Sequence, residues 1–208
     1  MTEIDKDLDV AIGHYAELLA SNLHAQRAAH FPPDAKKVMR SLTSGEAAEL
    51  LGVDHTYLRK LHREGKITDV ETTAGSHRRY TLDDVWEIRQ SLEANAKKPG
   101  TYVPGRRKGD ELQVISVVNF KGGSGKTTTS AHLAQRLAFK GYRVLAIDLD
   151  PQASLSALHG IQPELDLMEG GTLYDAVRYD DPVPVSEVIR KTYIRGLDLI
   201  PGNLELME

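Results

Sequence analysis

Hydrophobic side chains recur every three or four residues at the start of the chain. From Ile4 to about His30 they form one helical stripe, with charged residues on the other faces. The stripe consists of Ile4, Leu8, Ile12, Tyr15, Leu19 and Leu23. Pro32 and Pro33 follow, and because neither can donate a backbone hydrogen bond, we expect the helix to stop before them. The stripe fits either a helix packed on its own domain or a dimerisation helix that precedes the next compact unit.

The pattern changes in residues 41–95, which predict a helix, a turn, a second helix, a hairpin and a third helix. Capping residues and a glycine breaker separate these elements. They are Thr43 with Glu46, Gly52, Asp54, and Thr81 with Asp84. The hairpin turn is expected at residues 74–76, where the chain reads Ala-Gly-Ser.

Residues 96–111 contain two Pro-Gly pairs and more basic than acidic charges, which predicts a linker without helix or strand. A nearly continuous apolar run then fills residues 112–120, as is typical of a strand buried on both faces of a parallel sheet. Beyond it we expect a helix over 127–140 and strands over 143–149 and near 197–200. Strand–helix–strand alternation predicts an α/β sheet for residues 112–208.

Composition narrows the classes of function. The formal net charge is −4, so any DNA contact must come from local clusters of Lys and Arg. The chain has no cysteine, which excludes a disulfide scaffold, a thiolate zinc site, an iron–sulfur cluster and a cysteine nucleophile. An acidic N-terminus and the lack of a long apolar run predict a cytoplasmic protein without membrane contact.

A glycine-rich motif lies between the expected strand and the helix that follows it. Its glycines let backbone N–H groups converge on phosphate oxygens, and the helix N-terminus adds partial positive charge. Lys126 can contact the terminal phosphates of ATP, and the Thr127 hydroxyl can ligate Mg²⁺. The alternative is a glycine-rich turn that only joins strand to helix. The candidate cofactor-binding residues are Lys121, Gly122, Gly123, Ser124, Gly125, Lys126, Thr127 and Thr128.

Two carboxylates, Asp148 and Asp150, end the expected second strand. Ligands bind at the carboxyl ends of strands in open α/β sheets, and strand alternation points both side chains to the same side. One can position an attacking water while the other orients Mg²⁺ or the loop. Without the apolar strand before them, two aspartates near a proline are more typical of a solvated turn.

The second helix of residues 41–95 has a basic outer face. Leu58 and Leu61 point inward, which leaves the basic side chains on the outer face. The following hairpin adds a second cluster of basic residues, Arg78 and Arg79. Helix, turn and basic helix form a helix–turn–helix pattern, whereas a solvated basic face is the alternative. The candidate DNA-binding residues are Thr56, Tyr57, Arg59, Lys60, Arg63, Arg78 and Arg79.

The segments KGGSGKTT and DLDPQ resemble the deviant Walker A box and second signature of the ParA/MinD family of ATPases. Residues 173–177 and 196–206 also resemble this family, and residues 41–95 resemble a MerR-type winged helix. The resemblance implies four catalytic roles. Lys121 contacts the phosphates of the partner subunit, Lys126 those of its own, Asp150 positions water and Asp148 supports it. The implied fold is an α/β P-loop NTPase with an incomplete parallel sheet, preceded by a mostly α winged helix–turn–helix domain and an N-terminal helix.

The same resemblance implies a function and an organisation. The expected regions are an N-terminal dimerisation helix (1–40), a DNA-binding domain (41–95), a linker (96–111) and part of an ATPase domain (112–208). The implied activity is Mg²⁺-dependent ATP hydrolysis by a homodimer that segregates plasmid DNA with a ParB/RepB-like partner, represses its own operon and associates with the nucleoid. A nucleotide-responsive transcriptional regulator without a partition role is the alternative. No apolar strand ending in a carboxylate follows Asp150, so we expect these residues to be the N-terminal part of a longer protein.

Overall fold

The computed structural model describes residues 3–30, 37–73, 77–106, 108–167 and 171–207. The chain divides into two compact units, Met1–Lys36 and Lys37–Glu208. The helices are α1 (Glu3–His30), α2 (Ser44–Leu51), α3 (His55–Arg63), α4 (Leu82–Ala94), α5 (Lys126–Phe139), α6 (Ser154–Leu158), α7 (Pro163–Asp166), α8 (Leu173–Val177) and α9 (Val185–Val188). The strands are β1 (Leu42–Thr43), β2 (Thr72–Thr73), β3 (His77–Tyr80), β4 (Val144–Ile147), β5 (Arg190–Lys191) and β6 (Leu197–Ile200), and a 3-10 turn covers Leu204–Met207.

The first unit contains the predicted amphipathic helix, α1, which is 28 residues long. The stripe residues Ile12, Tyr15, Leu19 and Leu23 are each 58–66% exposed. The side chains of Ile4 and Leu8, and the whole of Pro32 and Pro33, lie outside the described residues. A row of exposed apolar side chains therefore lies along one helix and is not covered by the described residues of its own unit.

The N-terminal part of the second unit has the predicted order of helices and hairpin. Each predicted cap forms: Thr43 and Thr81 make capping boxes, and Asp54 caps α3. The strands form an antiparallel sheet in the order β1-β3-β2. The predicted turn at residues 74–76 lies outside the described residues. A buried cluster joins these elements, with Leu51, Leu58, Tyr80 and Ile88 among its members.

The C-terminal part is built on a small mixed sheet in the order β4-β6-β5. Strands β4 and β6 are parallel and coincide with the predicted strands, whereas β5 is antiparallel to β6 and was not predicted. The expected incomplete parallel sheet is therefore confirmed for β4 and β6 and wrong for β5, because the described sheet is mixed. Helix α5 matches the predicted helix within one residue at each end and packs on β4.

The strand predicted for residues 112–120 does not form. These residues have no strand conformation, and their apolar side chains other than the half-buried Val117 are exposed, from 61% at Ile115 to 106% at Phe120. A strand needs a neighbour to bond its backbone N–H and C=O groups, and none of the described strands pairs with this segment. The apolar pattern is typical of a buried strand, but pairing also requires a neighbouring strand, which a local pattern cannot supply.

Residues 96–111 have no helix or strand where the structure describes them, as predicted. Residues 100–103 are nevertheless fixed to α4, because the carboxylate of Glu93 accepts hydrogen bonds from the backbone N–H groups of Gly100, Tyr102 and Val103. This segment is therefore packed against α4 along part of its length. Among the described residues, no helix is long and apolar enough to cross a membrane.

Candidate nucleotide and DNA-binding sites

The glycine-rich loop leads directly into α5. Gly123 and Gly125 have φ of 69° and 83°, a left-handed conformation that favours glycine. The side-chain oxygen of Asn119 accepts a hydrogen bond from the backbone N–H of Lys121 at 2.8 Å. Asn119 directly precedes Phe120, which stands where the general P-loop pattern has its first glycine, and it thus helps to fix the start of the turn.

The N-terminus of α5 is open to a ligand. The helix begins at Lys126, and its N-cap, Gly125, offers no side-chain oxygen to the N–H groups of the first turn. Those groups and the helix dipole attract an anion. A Cβ built on Gly122 or Gly123 has no atom within 4 Å, so there is open space beside the loop. Lys126 and Thr127 are half-buried there, and the residues fit a phosphate group.

Packing contacts show which end of the sheet this helix N-terminus faces. Ala138, near the C-terminal end of α5, shares a cluster with Val144 at the start of β4. Ala131, nearer the N-terminus of α5, packs instead with Ala146 and Leu155. Helix α5 therefore runs antiparallel to β4. As a result, Lys126 lies towards the carboxyl end of β4, the edge that carries the two candidate aspartates.

The two aspartates at that edge have different surroundings. Asp148 is 3% exposed, and its carboxylate accepts hydrogen bonds from the backbone N–H and hydroxyl of Ser156 at 2.9 and 2.7 Å. Asp150 is half-buried, and its carboxylate accepts one hydrogen bond, from the N–H of Gln152 at 3.0 Å. Asp148 thus anchors the first turn of α6, whereas Asp150 keeps more capacity to bind a ligand.

A metal ion at the carboxyl end of β4 would need part of its coordination from a bound ligand. The described residues contain no cluster of three or more His, Cys, Asp or Glu side chains that could hold one. A hydroxyl such as that of Thr127, together with phosphate oxygens, is a donor set that suits Mg²⁺, which usually keeps several waters. The residues present therefore fit magnesium carried in with a phosphate ligand.

Helix α3 presents the predicted basic face to solvent. Arg59, Lys60 and Arg63 are exposed, while Leu58 and Leu61 are buried, as predicted. Two polar residues of the candidate set already have partners within the chain. The hydroxyl of Thr56 donates to the Asp54 carboxylate, and the Lys60 ammonium lies 3.7 Å from Glu64.

The two candidate arginines of the hairpin lie on opposite faces of β3. Side chains alternate along a strand, so Arg78 shares the face of the buried Tyr80, whereas Arg79 shares that of the exposed His77. The pKa of His62 on α3 is lowered by burial first and then by the positive charge of Arg78. Arg78 is therefore the hairpin arginine that lies towards α3.

Two residues that tie these elements together escaped the sequence analysis. One is His62, whose Nε2 lies 2.8 Å from the phenol of Tyr80 and to which no role was assigned from the sequence. Its spacing of four residues from Leu58 is the signal that places it inward. Arg89 of α4 is 4% exposed and bonds backbone carbonyls of three segments. Arg89 follows the buried Val85 by four residues, so helical spacing places it inward, whereas its three carbonyl partners cannot be predicted from the local sequence.

Family models match two parts of the chain. One described as an AAA domain matches residues 112–208, and one described as a MerR HTH family regulatory protein matches residues 42–91. The AAA domain match covers the part with the glycine-rich loop and the mixed sheet. The MerR match covers the part with α2, α3 and the hairpin.

Individual relatives extend the comparison. A protein of Rhizobium rhizogenes named as a replication protein A is 52% identical over 97% of this chain and 50% of its own length. Protein SopA of Escherichia coli is 34% identical over 84% of this chain and 44% of its own. The chromosome partitioning protein ParA of Caulobacter vibrioides is 43% identical over 46% of this chain and 34% of its own.

The chain spans about half the length of the curated relatives it matches. The two signature segments, the AAA domain match over residues 112–208 and the relatedness to SopA and ParA point to one family. The chain is a homologue of ParA-type partition ATPases and carries their AAA domain over residues 112–208.

Proposed function

We propose that this protein is the ATP-dependent component of a plasmid partition system and binds Mg²⁺–ATP at residues 121–128. One observation carries the proposal most directly: the uncapped N-terminus of α5 follows two left-handed glycines and begins with a lysine. The names of its relatives, replication protein A and chromosome partitioning protein, support the role of such a site in the inheritance of DNA.

The loop residues have distinct roles in this proposal. ATP with Mg²⁺ supplies the phosphoanhydride bond that is hydrolysed. Backbone N–H groups from residues 122–128 bind the phosphates, Lys126 neutralises their charge, and Thr127 holds the metal ion. Lys121, whose side chain is exposed, reaches the nucleotide of a second copy, as the family resemblance implies.

The aspartates divide the remaining work. Asp150 positions the attacking water, because its carboxylate accepts only one hydrogen bond among the described residues. Asp148 acts as a positioning residue, because its carboxylate already holds the N–H and hydroxyl of Ser156. It keeps α6, and with it the loop that contains Asp150, in place beside α5.

DNA binding is assigned to residues 41–95, as a winged helix–turn–helix. The exposed face of α3 enters the major groove, where arginines such as Arg59 and Arg63 can read guanine. The hairpin forms the wing, with Arg78 on the side towards α3 and Arg79 on the outer side, and contacts phosphates. Binding to the promoter of its own operon follows from this assignment, and non-specific binding to nucleoid DNA is assigned to the ATP-bound state.

Two copies are needed to span two half-sites, and α1 supplies a surface for this. Its exposed apolar row, which includes Ile12, Tyr15 and Leu19, would be buried against the same row of a second copy. Residues 1–40 are thus assigned to dimerisation, 96–111 to the connection between the two parts, and 112–208 to the nucleotide site. A ParB/RepB-like centromere-binding protein is the proposed partner.

Plasmid retention without selection tests the partition role. A plasmid that carries this gene and its neighbouring centromere-binding gene should be lost faster when Lys126 is replaced by alanine. The matched control, Lys140→Ala, changes an exposed lysine just beyond the other end of the same helix and should not affect retention. Equal retention of all three plasmids, with normal repression of the operon, would favour a transcriptional regulator without a partition role.

A further inference from the structure

Arg89 lies where three segments of the second unit meet. Its Nη1 donates to the carbonyl of Tyr102 at 2.9 Å, and its Nη2 donates to the carbonyl of Phe139 at 2.7 Å and to that of Leu50. A Cβ built on Gly141 would lie only 3.1 Å from Nη1, so the chain closes tightly around the guanidinium. The side chain of Arg89 thus joins α4 to α2, to residues 96–111 and to α5.

The electrostatics of this contact are unusual for a buried arginine. Arg89 is 4% exposed, and burial lowers the pKa of its guanidinium, yet an arginine keeps its charge in proteins. Its acceptors are backbone carbonyls at helix ends: Leu50 lies in the last turn of α2, and Phe139 is the last residue of α5. Such carbonyls lack partners within their helices and carry the negative end of the helix dipole. Two helix C-termini therefore stabilise one buried positive charge.

The face of α4 that carries Arg89 contacts the C-terminal part of the unit. Leu82, Trp86, Arg89 and Glu93 follow one another at helical spacing. Leu82 belongs to the apolar clusters of both parts, and the Trp86 ring lies under the guanidinium of Arg195 at 5.9 Å. Val85, Ile88 and Leu92, on the adjoining side of the helix, belong to the buried core around α2 and α3.

The two ends of α5 therefore belong to different sites, the glycine-rich loop at one end and the Arg89 contact at the other. The first residue, Lys126, belongs to the glycine-rich loop, and the last, Phe139, about 20 Å along the helix, is held by Arg89. A helix of 14 residues moves as a rigid rod, so a shift at one end displaces the other. Arg89 would pass that displacement to Leu50 in α2, which packs against α3.

We infer that Arg89 is a positioning residue that couples nucleotide occupancy of the glycine-rich loop to the DNA affinity of α3. The inference rests on the proposed function, because it presumes that the loop binds ATP and that α3 binds DNA. It adds a specific route: from α5 through one guanidinium to the last turn of α2. The nearby ion pair of Arg195 with Asp83, at 3.6 Å and exposed, is not part of that route.

The test measures the affinity for one DNA probe with and without nucleotide. The probe is the promoter fragment directly upstream of the gene, with shuffled DNA of the same composition as a reference. Binding is followed by fluorescence anisotropy with no nucleotide and with Mg²⁺ and a non-hydrolysable ATP analogue. The proteins are wild type, Arg89→Gln, Arg89→Lys and the matched interface control Arg195→Ala. Calorimetry with the analogue and thermal melting accompany each titration.

For wild type and Arg195→Ala, we expect the nucleotide to change the promoter Kd by about fivefold or more. For both Arg89 variants, the two Kd values should agree within about twofold, while the analogue binds as in wild type. Arg89→Lys keeps the charge, which protects the fold, but its single nitrogen cannot replace the two-nitrogen fork. A purely structural role would weaken DNA binding equally in both nucleotide states.

Three results would overturn the inference. The first is a folded Arg89 variant in which the ATP analogue changes the promoter Kd as much as in wild type. The second is an Arg195→Ala variant that loses this change to the same extent as the Arg89 variants. The third is a wild-type protein whose promoter Kd is the same with and without the analogue. Failure of the proposed function would be seen differently, as wild-type protein that binds neither the analogue in calorimetry nor the promoter in preference to shuffled DNA.

Discussion

The hydroxyl of Tyr80 on β3 lies 2.8 Å from Nε2 of His62 on α3, and both residues are buried. This contact joins the hairpin to the candidate recognition helix. The second ring nitrogen of His62, Nδ1, has no hydrogen-bond partner among the described residues. Tyr80→Phe would therefore leave the imidazole without a partner at either nitrogen. We expect the variant to lose about 1–3 kcal/mol of unfolding free energy, measured by urea denaturation.

The same histidine predicts a pH dependence of stability. Burial, and then the charge of Arg78, lower the pKa of His62 below its ordinary value of 6.5, while Asp69 acts in the opposite direction. The unfolded chain then binds the proton more readily than the folded protein does, so stability falls as the pH drops below about 6.5. Urea denaturation between pH 7.5 and about 5.5 should show this fall for wild type. His62→Gln should flatten it and His77→Gln should not, and a slope unchanged by His62→Gln would contradict the assignment.

Asp148 is predicted to matter for stability before it matters for catalysis. Asp148→Ala removes the acceptor of two hydrogen bonds from Ser156, whose side chain and backbone are fully buried. An unsatisfied buried N–H costs about 1–3 kcal/mol, so the melting temperature should fall. Asp180→Ala changes an exposed carboxylate and serves as the control. A melting temperature equal to wild type in Asp148→Ala would show that the Ser156 contact contributes nothing.

Arginines of α3 and of the hairpin should affect DNA binding differently. Arg63→Ala should cost about 1–3 kcal/mol on the promoter fragment and much less on shuffled DNA, if Arg63 reads a base. Arg79→Ala should weaken binding to both DNAs and reduce the salt slope by roughly one. Salt titrations of both probes distinguish these outcomes, with the exposed Arg136 of α5 as the control substitution. Equal losses on both probes for Arg63→Ala and Arg79→Ala would reject sequence reading by α3.

Lys121 should act between subunits. Its side chain is exposed and its backbone N–H is fixed by Asn119, so replacing it with alanine should leave the loop conformation and ATP affinity close to wild type. ATP-dependent dimerisation should weaken, as seen by light scattering with Mg²⁺ and ATP. Dimerisation at wild-type strength, combined with unchanged ATP turnover, would argue against a role across the dimer.

Local signals were enough to predict much of the fold. The caps at Thr43, Asp54 and Thr81 act within three residues, so the helices that they begin could be placed from the sequence. The glycine-rich loop and the helix at Lys126 were likewise predicted from adjacent residues.

The features that could not be predicted from the sequence depend on contacts between residues far apart in the chain. Residues 112–120 have a strand pattern but no described strand to pair with, and β5 is only two residues long. Arg89 gains its role from carbonyls 39 and 50 residues away, at Leu50 and Phe139. Long-range contacts of this kind leave no periodic trace in the sequence.

The central claim, that residues 121–128 bind Mg²⁺–ATP through Lys126, is tested most directly by isothermal titration calorimetry. Wild type and Lys140→Ala should bind ATP in the presence of Mg²⁺ with the same Kd. Lys126→Ala removes a charge-assisted contact to phosphate worth about 1.5–3 kcal/mol, which corresponds to a roughly 10- to 150-fold higher Kd. A Lys126→Ala variant that melts like wild type and binds ATP with an unchanged Kd would contradict the account.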